Sequence, residues 1–182
     1  MAEVARSAIY NFKGECLNIS GKSSWESKWN SVPTAAYFAE VEVDTETGEV
    51  KLLKFITALD CGTAINPMTV EGQAEGGISQ GVGLALTEDY VINKTSGVVE
   101  SNNFTTYKIP TILDMPQMEV IITNRPDPIG PFGAKGVGEP ALAGIAPAIA
   151  NAVYNAVGVR ITDTPITPEK ILKTLKEKRK RH

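Results

Sequence analysis

The side chains best placed to do chemistry in this sequence are one carboxylate and two amides. Glu139 ends the run Gly133-Ala134-Lys135-Gly136-Val137-Gly138 and is followed by Pro140, whose fixed φ and missing N–H suit a first helical turn. A helix starting there would set unpaired N–H groups and the positive end of a dipole beside the ionised carboxylate. Glycines, having no side chain, let a ligand come close to the main chain. A charged base beside bare backbone at the end of a rigid helix is one way to build a catalytic site. The same residues also read as an ordinary helix cap with glycines for the turn. Gln73 and Gln80 lie seven apart in Val70 to Glu88, where Ile78, Val82, Ala85 and Leu86 follow a helical period and predict that both amides project from one side. Gly72, Gly76, Gly77, Gly81 and Gly83 cost such a helix about 1 kcal/mol each relative to alanine. Close packing against another backbone, or against a flat ligand, would offset that cost. Both glutamines could equally be surface residues on a buried glycine-rich helix.

Other chemistries have less support. The only histidine is His182, the last residue, which disfavours histidine-clustered metal sites and a Ser-His-Asp triad. Cys16 and Cys61 belong to no CxxC pair, so we expect reduced thiols and no metal ligands from this chain. Gly136-Val137-Gly138-Glu139-Pro140-Ala141 matches G-x-G-x-x-A, but a Pro-Gly loop precedes it where a dinucleotide-binding fold needs a buried strand. The net charge is −3, yet the last ten residues, KTLKEKRKRH, hold six Lys or Arg against one Glu, a balance of +5 that leaves −8 on the rest. A basic tail could meet nucleic acid or an acidic partner. No basic patch with interleaved aromatics supports it elsewhere, so residues 173–182 read as a frayed, solvated terminus and nucleic acid is not an expected partner.

The elements that must position Glu139 and the glutamines come from a chain of 182 residues, enough for one domain with a proper core. Apolar residues make up 42% and no apolar run reaches the roughly 20 residues of a bilayer span, so no membrane is expected. The segment MAEVARSAIYNFKGE lacks an apolar h-region and a cleavage site, which makes a cytoplasmic location the expectation. Residues 1–32 are polar and turn-rich and read as an extension ordered by contacts with the rest. Residues 33–182 are expected to form the main body. Tyr37 to Val43 and Glu49 to Ile56, joined by Asp44-Thr45-Glu46-Thr47-Gly48, predict a β-hairpin with one buried face. Tyr90-Val91-Ile92, Thr105 to Pro110 and Met118 to Thr123 are predicted as further β segments, and Asn124 to Gly133 as a stiff loop. Pro140 to Ala156 is predicted as an alanine-rich helix kinked or broken at Pro147. Thr167-Pro168-Glu169 caps a final amphipathic helix with Ile171, Leu172 and Leu175 inward. The fold class is therefore α+β, a mixed or antiparallel sheet with glycine- and alanine-rich helices packed on it.

In order along the chain, Asp60-Cys61-Gly62, Asn66-Pro67, Gly72-Gln73 through Gln80-Gly81-Val82-Gly83, Thr106-Tyr107-Lys108-Ile109-Pro110, Lys135-Gly136-Val137-Gly138-Glu139-Pro140 and Thr167-Pro168-Glu169-Lys170 resemble the C-terminal part of the molybdenum-cofactor subunit of the xanthine dehydrogenase and aldehyde oxidase family. The resemblance covers about Val32 to Leu175. It implies one half of a molybdenum-cofactor-binding domain, with Glu139 as general base in an oxidative hydroxylation by water of an N-heterocycle or aldehyde. It implies that Gln73, and more weakly Gln80, bond the pterin, and that Lys135, Gly136, Val137 and Gly138 line the same pocket. Whole subunits of this family are several times longer. The implied partners are therefore the remaining molybdenum-binding portion, an iron-sulfur subunit and a flavin subunit carrying FAD, and the chain alone should be inactive. A noncatalytic partner that keeps the fold is the alternative.

Overall fold

In the computed structural model the expected hairpin is formed by β1 (Thr34–Val43) and β2 (Val50–Asp60), which pair antiparallel from Thr34 opposite Asp60 to Val43 opposite Val50. The Asp44 carboxylate shapes the turn by accepting from the N–H groups of Glu46 and Thr47 at 2.7 and 3.1 Å. Gly48 supplies the left-handed φ of +80° that the turn demands. β1 alternates exposed and half-buried residues throughout, as a strand with one face on a core must. The register slips between Glu40 and Val41, which pair with Lys54 and Leu52 and leave Leu53 unmatched. That bulge lets Leu52 and Phe55, an odd number of residues apart, face the same core.

β3 (Gln117–Ile122) lies on the other side of β2 and runs parallel to it, giving a mixed three-stranded sheet in the order β1-β2-β3. A parallel neighbour needs a crossover, and here it contains α1 (Pro67–Leu86). Asn66 caps this helix and Pro67 occupies its first turn, so the Asn66-Pro67 turn is also a helix start. α2 (Ile145–Val157) packs on β1 and α1, and α3 (Pro168–Lys180) adds Ile171. The main core joins Phe55 of the sheet to Ile78 and Val82 of α1, Ile145, Ile149 and Val153 of α2, and Ile171. The expected α+β class with a mixed sheet is what is found. The structure describes residues 29–180 together with Glu3, Arg6, Tyr10, 21–24 and Glu26. The chain divides into Met1–Asn30 and Ser31–His182, and all three strands and helices named here belong to the second unit. The predicted polar extension over 1–32 falls mostly outside the described residues, as do Cys16 and His182.

Three expectations are corrected. Tyr90 to Ile92 is no strand: it makes one bridge, between Ile92 and Val99, around a turn in which the Asn93 side chain accepts from Thr95 and Ser96 N–H. Thr105 to Tyr107 is turned, because the Asn103 carboxamide oxygen accepts from the N–H groups of Thr105 and Thr106 and offers the backbone an alternative to extension. The predicted helix from Pro140 begins only at Ile145. Glu139–Ala141 is an isolated 3-10 turn, followed by a turn through Gly144. Pro147 then falls at the third helical position, where no intrahelical N–H bond is lost, so it does not break the helix. The apolar stretch 139–157 is thus divided, and its thirteen-residue α-helix reaches about 20 Å, short of the roughly 30 Å hydrocarbon core of a bilayer.

The Glu139–Ala141 turn is tied to the sheet by Tyr37, whose hydroxyl donates to the Pro140 carbonyl while its ring lies against Gly144. A Cβ at Gly144 would come within 2.1 Å of that ring. Tyr37→Phe in the full chain should lower stability by about 1 kcal/mol, the usual net worth of one such hydrogen bond, measured by thermal or denaturant unfolding.

Candidate functional site

The glycines of α1 divide by face. A Cβ on Gly77 would stand 2.4 Å from the Ala141 carbonyl oxygen, and one on Gly81 would stand 2.6 Å from the Ile145 side chain. These two positions let the helix backbone press directly on the segment that begins at Glu139. Gly72 and Gly76 have nothing within 4 Å of where a Cβ would be, so intramolecular packing does not account for them. Gly76 instead belongs to a solvent-facing cleft of about 310 Å³ lined by Gln73, Gly76, Gly77, Gln80, Gly138, Glu139 and Leu142.

Gln73 and Gln80 project from the same side of α1, as their spacing predicts, and Glu139 faces them from the 3-10 turn. All three are exposed, and their side chains make no hydrogen bond to another described residue. Glu139 does not sit at the start of a long helix, so the expected dipole contribution at that position is replaced by simple placement: a three-residue turn has little dipole. The Glu139 carbonyl accepts from the N–H groups of Leu142 and Ala143 at 2.9 and 3.0 Å, which fixes the backbone at this carboxylate. A larger cleft of about 600 Å³ near the C-terminal end of α1 is lined by groups such as Leu52, Val82, Leu86, Leu113 and Ile166. It contains none of the sequence-predicted site residues.

The structure does not bring all of the predicted residues into one cleft. Gly138 lines it; Gly136 is open to solvent, and Val137 packs beside Leu59, Cys61, Val70 and Ala74. Lys135 lies instead in a neighbouring cleft of about 220 Å³ with Asp60, Arg125 and Asp127. Its ammonium group pairs with Asp60 at 2.8 Å and stands 4.0 Å from Asp127. The Lys135 hydrogen bond, aided by the N–H of Gly62, holds the Asp60 carboxyl below its ordinary pKa. Donation from Gly130 and Ile129 does the same for Asp127. Sequence reasoning named Asp60 only as part of a motif, and missed Asp127 and Tyr37. A lone Asp in a proline-rich loop carries no signal of its partner. Among the described residues no cluster of three metal-ligating side chains occurs.

The family described as Molybdopterin cofactor-binding domain matches residues 1–116. The chain belongs to that family. It is 41% identical over 142 residues to the aldehyde oxidoreductase molybdenum-binding subunit PaoC of Escherichia coli (strain K12), a match covering 78% of this chain and 19% of that one. It is 36% identical over 153 residues to the xanthine dehydrogenase molybdenum-binding subunit of Escherichia coli O157:H7, covering 84% and 20%. The crystal structure of quinoline 2-oxidoreductase from Pseudomonas putida 86 superposes with a TM-score of 0.71 at 38% identity, over 75% of this chain and 18% of that one. The chain thus spans about a fifth of the length of these relatives.

The residues of the cleft fit a molybdopterin group. Gln73 and Gln80 each offer amide donors and an acceptor to a pterin edge, and Gly76 and Gly138 leave backbone uncovered where a flat ring would lie. A methyl group at Gly76 would occupy that space without meeting protein.

The lowered Asp60 pKa has a definite sign in stability. Its ion pair stabilises the fold above the ordinary carboxylate pKa and is lost as the pH falls through the lowered folded value. The melting temperature of Asp60→Asn should therefore lie below wild type at pH 7. The gap should begin to narrow as the pH drops below about 4 and close once the pH has fallen through the lowered folded value, where the wild-type carboxyl is protonated too.

Proposed function

We propose that this chain is the portion of a molybdenum-dependent oxidoreductase that supplies the general base and one wall of the cofactor pocket. The observation that carries this reading is the cleft itself, in which one exposed carboxylate faces two amides across glycines that no intramolecular packing explains. The bound molybdenum–molybdopterin group would supply the two-electron redox chemistry. Gln73 and Gln80 would hold the pterin edge, and Gly76 and Gly138 would admit its face. The Glu139 carboxylate would accept a proton from the hydroxyl oxygen, derived from water, that is delivered to the substrate. A base does this only within hydrogen-bond reach of the proton, and the bonds from Leu142 and Ala143 N–H to its carbonyl would keep Glu139 in such a place.

The proposed reaction is oxidative hydroxylation of an N-heterocycle or aldehyde. A substrate C–H and one water become C–OH, two protons and two electrons. The electrons would pass to iron-sulfur clusters and FAD on partner chains or domains. The relatives' greater length supports the reading that the chain is inactive alone and works with the remaining molybdenum-binding portion. So do Phe104, Ile112 and Leu113, which are 82%, 81% and 92% exposed and suit a surface that further polypeptide covers.

Two variants, each in the complex coexpressed with neighbouring subunits, test the reading. Glu139→Gln should retain molybdenum while turnover falls by about 10² to 10⁴, the range for losing a general base. Full turnover in a complex of verified composition would exclude Glu139 as the base. Gly76→Ala should fold as well as wild type, or better by up to about 1 kcal/mol because alanine is the stronger helix former. Its retained molybdenum and pterin, measured by metal and pterin analysis, should drop.

A further inference from the structure

We infer that Lys135 is a positioning residue: its ion pairs with Asp60 and Asp127 hold the segment that carries Glu139 against the end of β2. This rests on the reading of Glu139 as the base.

The Lys135 ammonium gathers three parts of the fold. It pairs with Asp60 at the last position of β2, lies near Asp127 in the loop after β3, and donates to the Val32 carbonyl just before β1 at 3.3 Å. Both carboxylates are set before Lys135 reaches them. Asp60 accepts from Gly62 N–H at 3.1 Å, and Asp127 accepts from the N–H groups of Ile129 and Gly130, each at 2.8 Å. The backbone repeats the attachment, with Lys135 N–H donating to the Cys61 carbonyl and Thr63 N–H to the Gly133 carbonyl, both at 2.7 Å.

Surface ion pairs contribute little, but this group is largely withdrawn from solvent. The side chains of Lys135, Asp60 and Asp127 are 12%, 22% and 11% exposed. Between Lys135 and Glu139 lie Gly136, Val137 and Gly138, and the two glycines have no atom within 4 Å of a would-be Cβ. The next attachment is the Val137 side chain, packed beside Leu59, Cys61, Val70 and Ala74, and beyond it Glu139 and Pro140 are fastened through Leu142, Ala143 and Tyr37. The base is therefore held from both sides, and upstream Lys135 supplies the polar hold beside the apolar contact of Val137. Released there, the glycine-containing span would no longer keep the carboxylate at one distance from whatever presents a proton in the cleft.

The test compares Lys135→Met, Asp127→Asn and the double variant Lys135→Met/Asp60→Asn with wild type in the assembled complex. Lys135→Met leaves two carboxylates unpaired and should lower the melting temperature. Its kcat should fall about ten- to a hundredfold, the scale of a misplacement near 1 Å, with KM and molybdenum content unchanged. Amide hydrogen exchange over residues 133–139 should accelerate. The double variant removes one stranded charge, so its melting temperature should recover while kcat and exchange do not. Recovery of kcat together with the melting temperature, or exchange over 133–139 unchanged from wild type in Lys135→Met, would overturn the inference. If Lys135→Met does not assemble, Asp127→Asn, which keeps the Lys135–Asp60 pair, must show the same faster exchange to a smaller degree; wild-type exchange there rejects the clamp. If Glu139→Gln proves fully active, the assignment of the base fails, and the exchange data still decide whether Lys135 holds the segment.

Discussion

The close approach of α1 to the segment 141–145 is the contact on which the rest of the site depends. Gly77 and Gly81 admit the Ala141 backbone and the Ile145 side chain at distances that any Cβ would forbid. That approach sets the Glu139 turn directly opposite Gln73 and Gln80, so a cleft forms between a helix and a loop that are 50 or more residues apart in sequence. Glycine weakens a helix by about 1 kcal/mol per position, and the buried contacts of Ile78, Val82, Ile145 and Ile149 in the adjoining core offset the cost.

The same helix explains why close packing and an open cleft occur together. One face of α1 loses its side chains to approach protein, and the other, at Gly72 and Gly76, loses them with no protein to approach. A stripe of small residues in a single helix can be required by two surfaces at once. Here Gln73 and Gln80 sit on the second face, where a flat, hydrogen-bonding group fits the shape and the donors. The carboxylate that completes the cleft stays exposed in this chain. On the proposed reading, the walls that would exclude water from it belong to the remaining four-fifths of the longer subunit.

Rigidity reaches the cleft from the sheet. β2 is paired on both sides; its last residue, Asp60, passes that order to Lys135 through an ion pair, and Cys61 and Thr63 just after it pass it to Lys135 and Gly133 through backbone bonds. From the other direction, β1 reaches the Pro140 carbonyl through Tyr37. The loop between is rich in glycine and would wander if left to itself. It is ordered because both of its ends are fastened to strands of one sheet.

How much of this was legible differs by element. The hairpin was readable because alternation and an Asp-to-Gly turn are local signals, and α1 because its apolar residues keep a helical period despite five glycines. The common side of Gln73 and Gln80 follows from helix geometry alone. Local pattern misled at Thr105 to Tyr107, where the Asn103 side chain captured the backbone. It misled again at Pro140, where tight packing of Gly144 on Tyr37 delayed the helix to Ile145. The sequence by itself determined which residues have the chemistry: one carboxylate amid glycines, and two amides seven apart. Only the tertiary structure decided that Glu139 joins those amides while Lys135, four residues earlier, turns away to Asp60 and Asp127. The physical reason is that Glu139 and the two amides, like Lys135 and Asp60, lie at least 59 residues apart in the chain, and such proximity is set by packing and charge that no local pattern encodes.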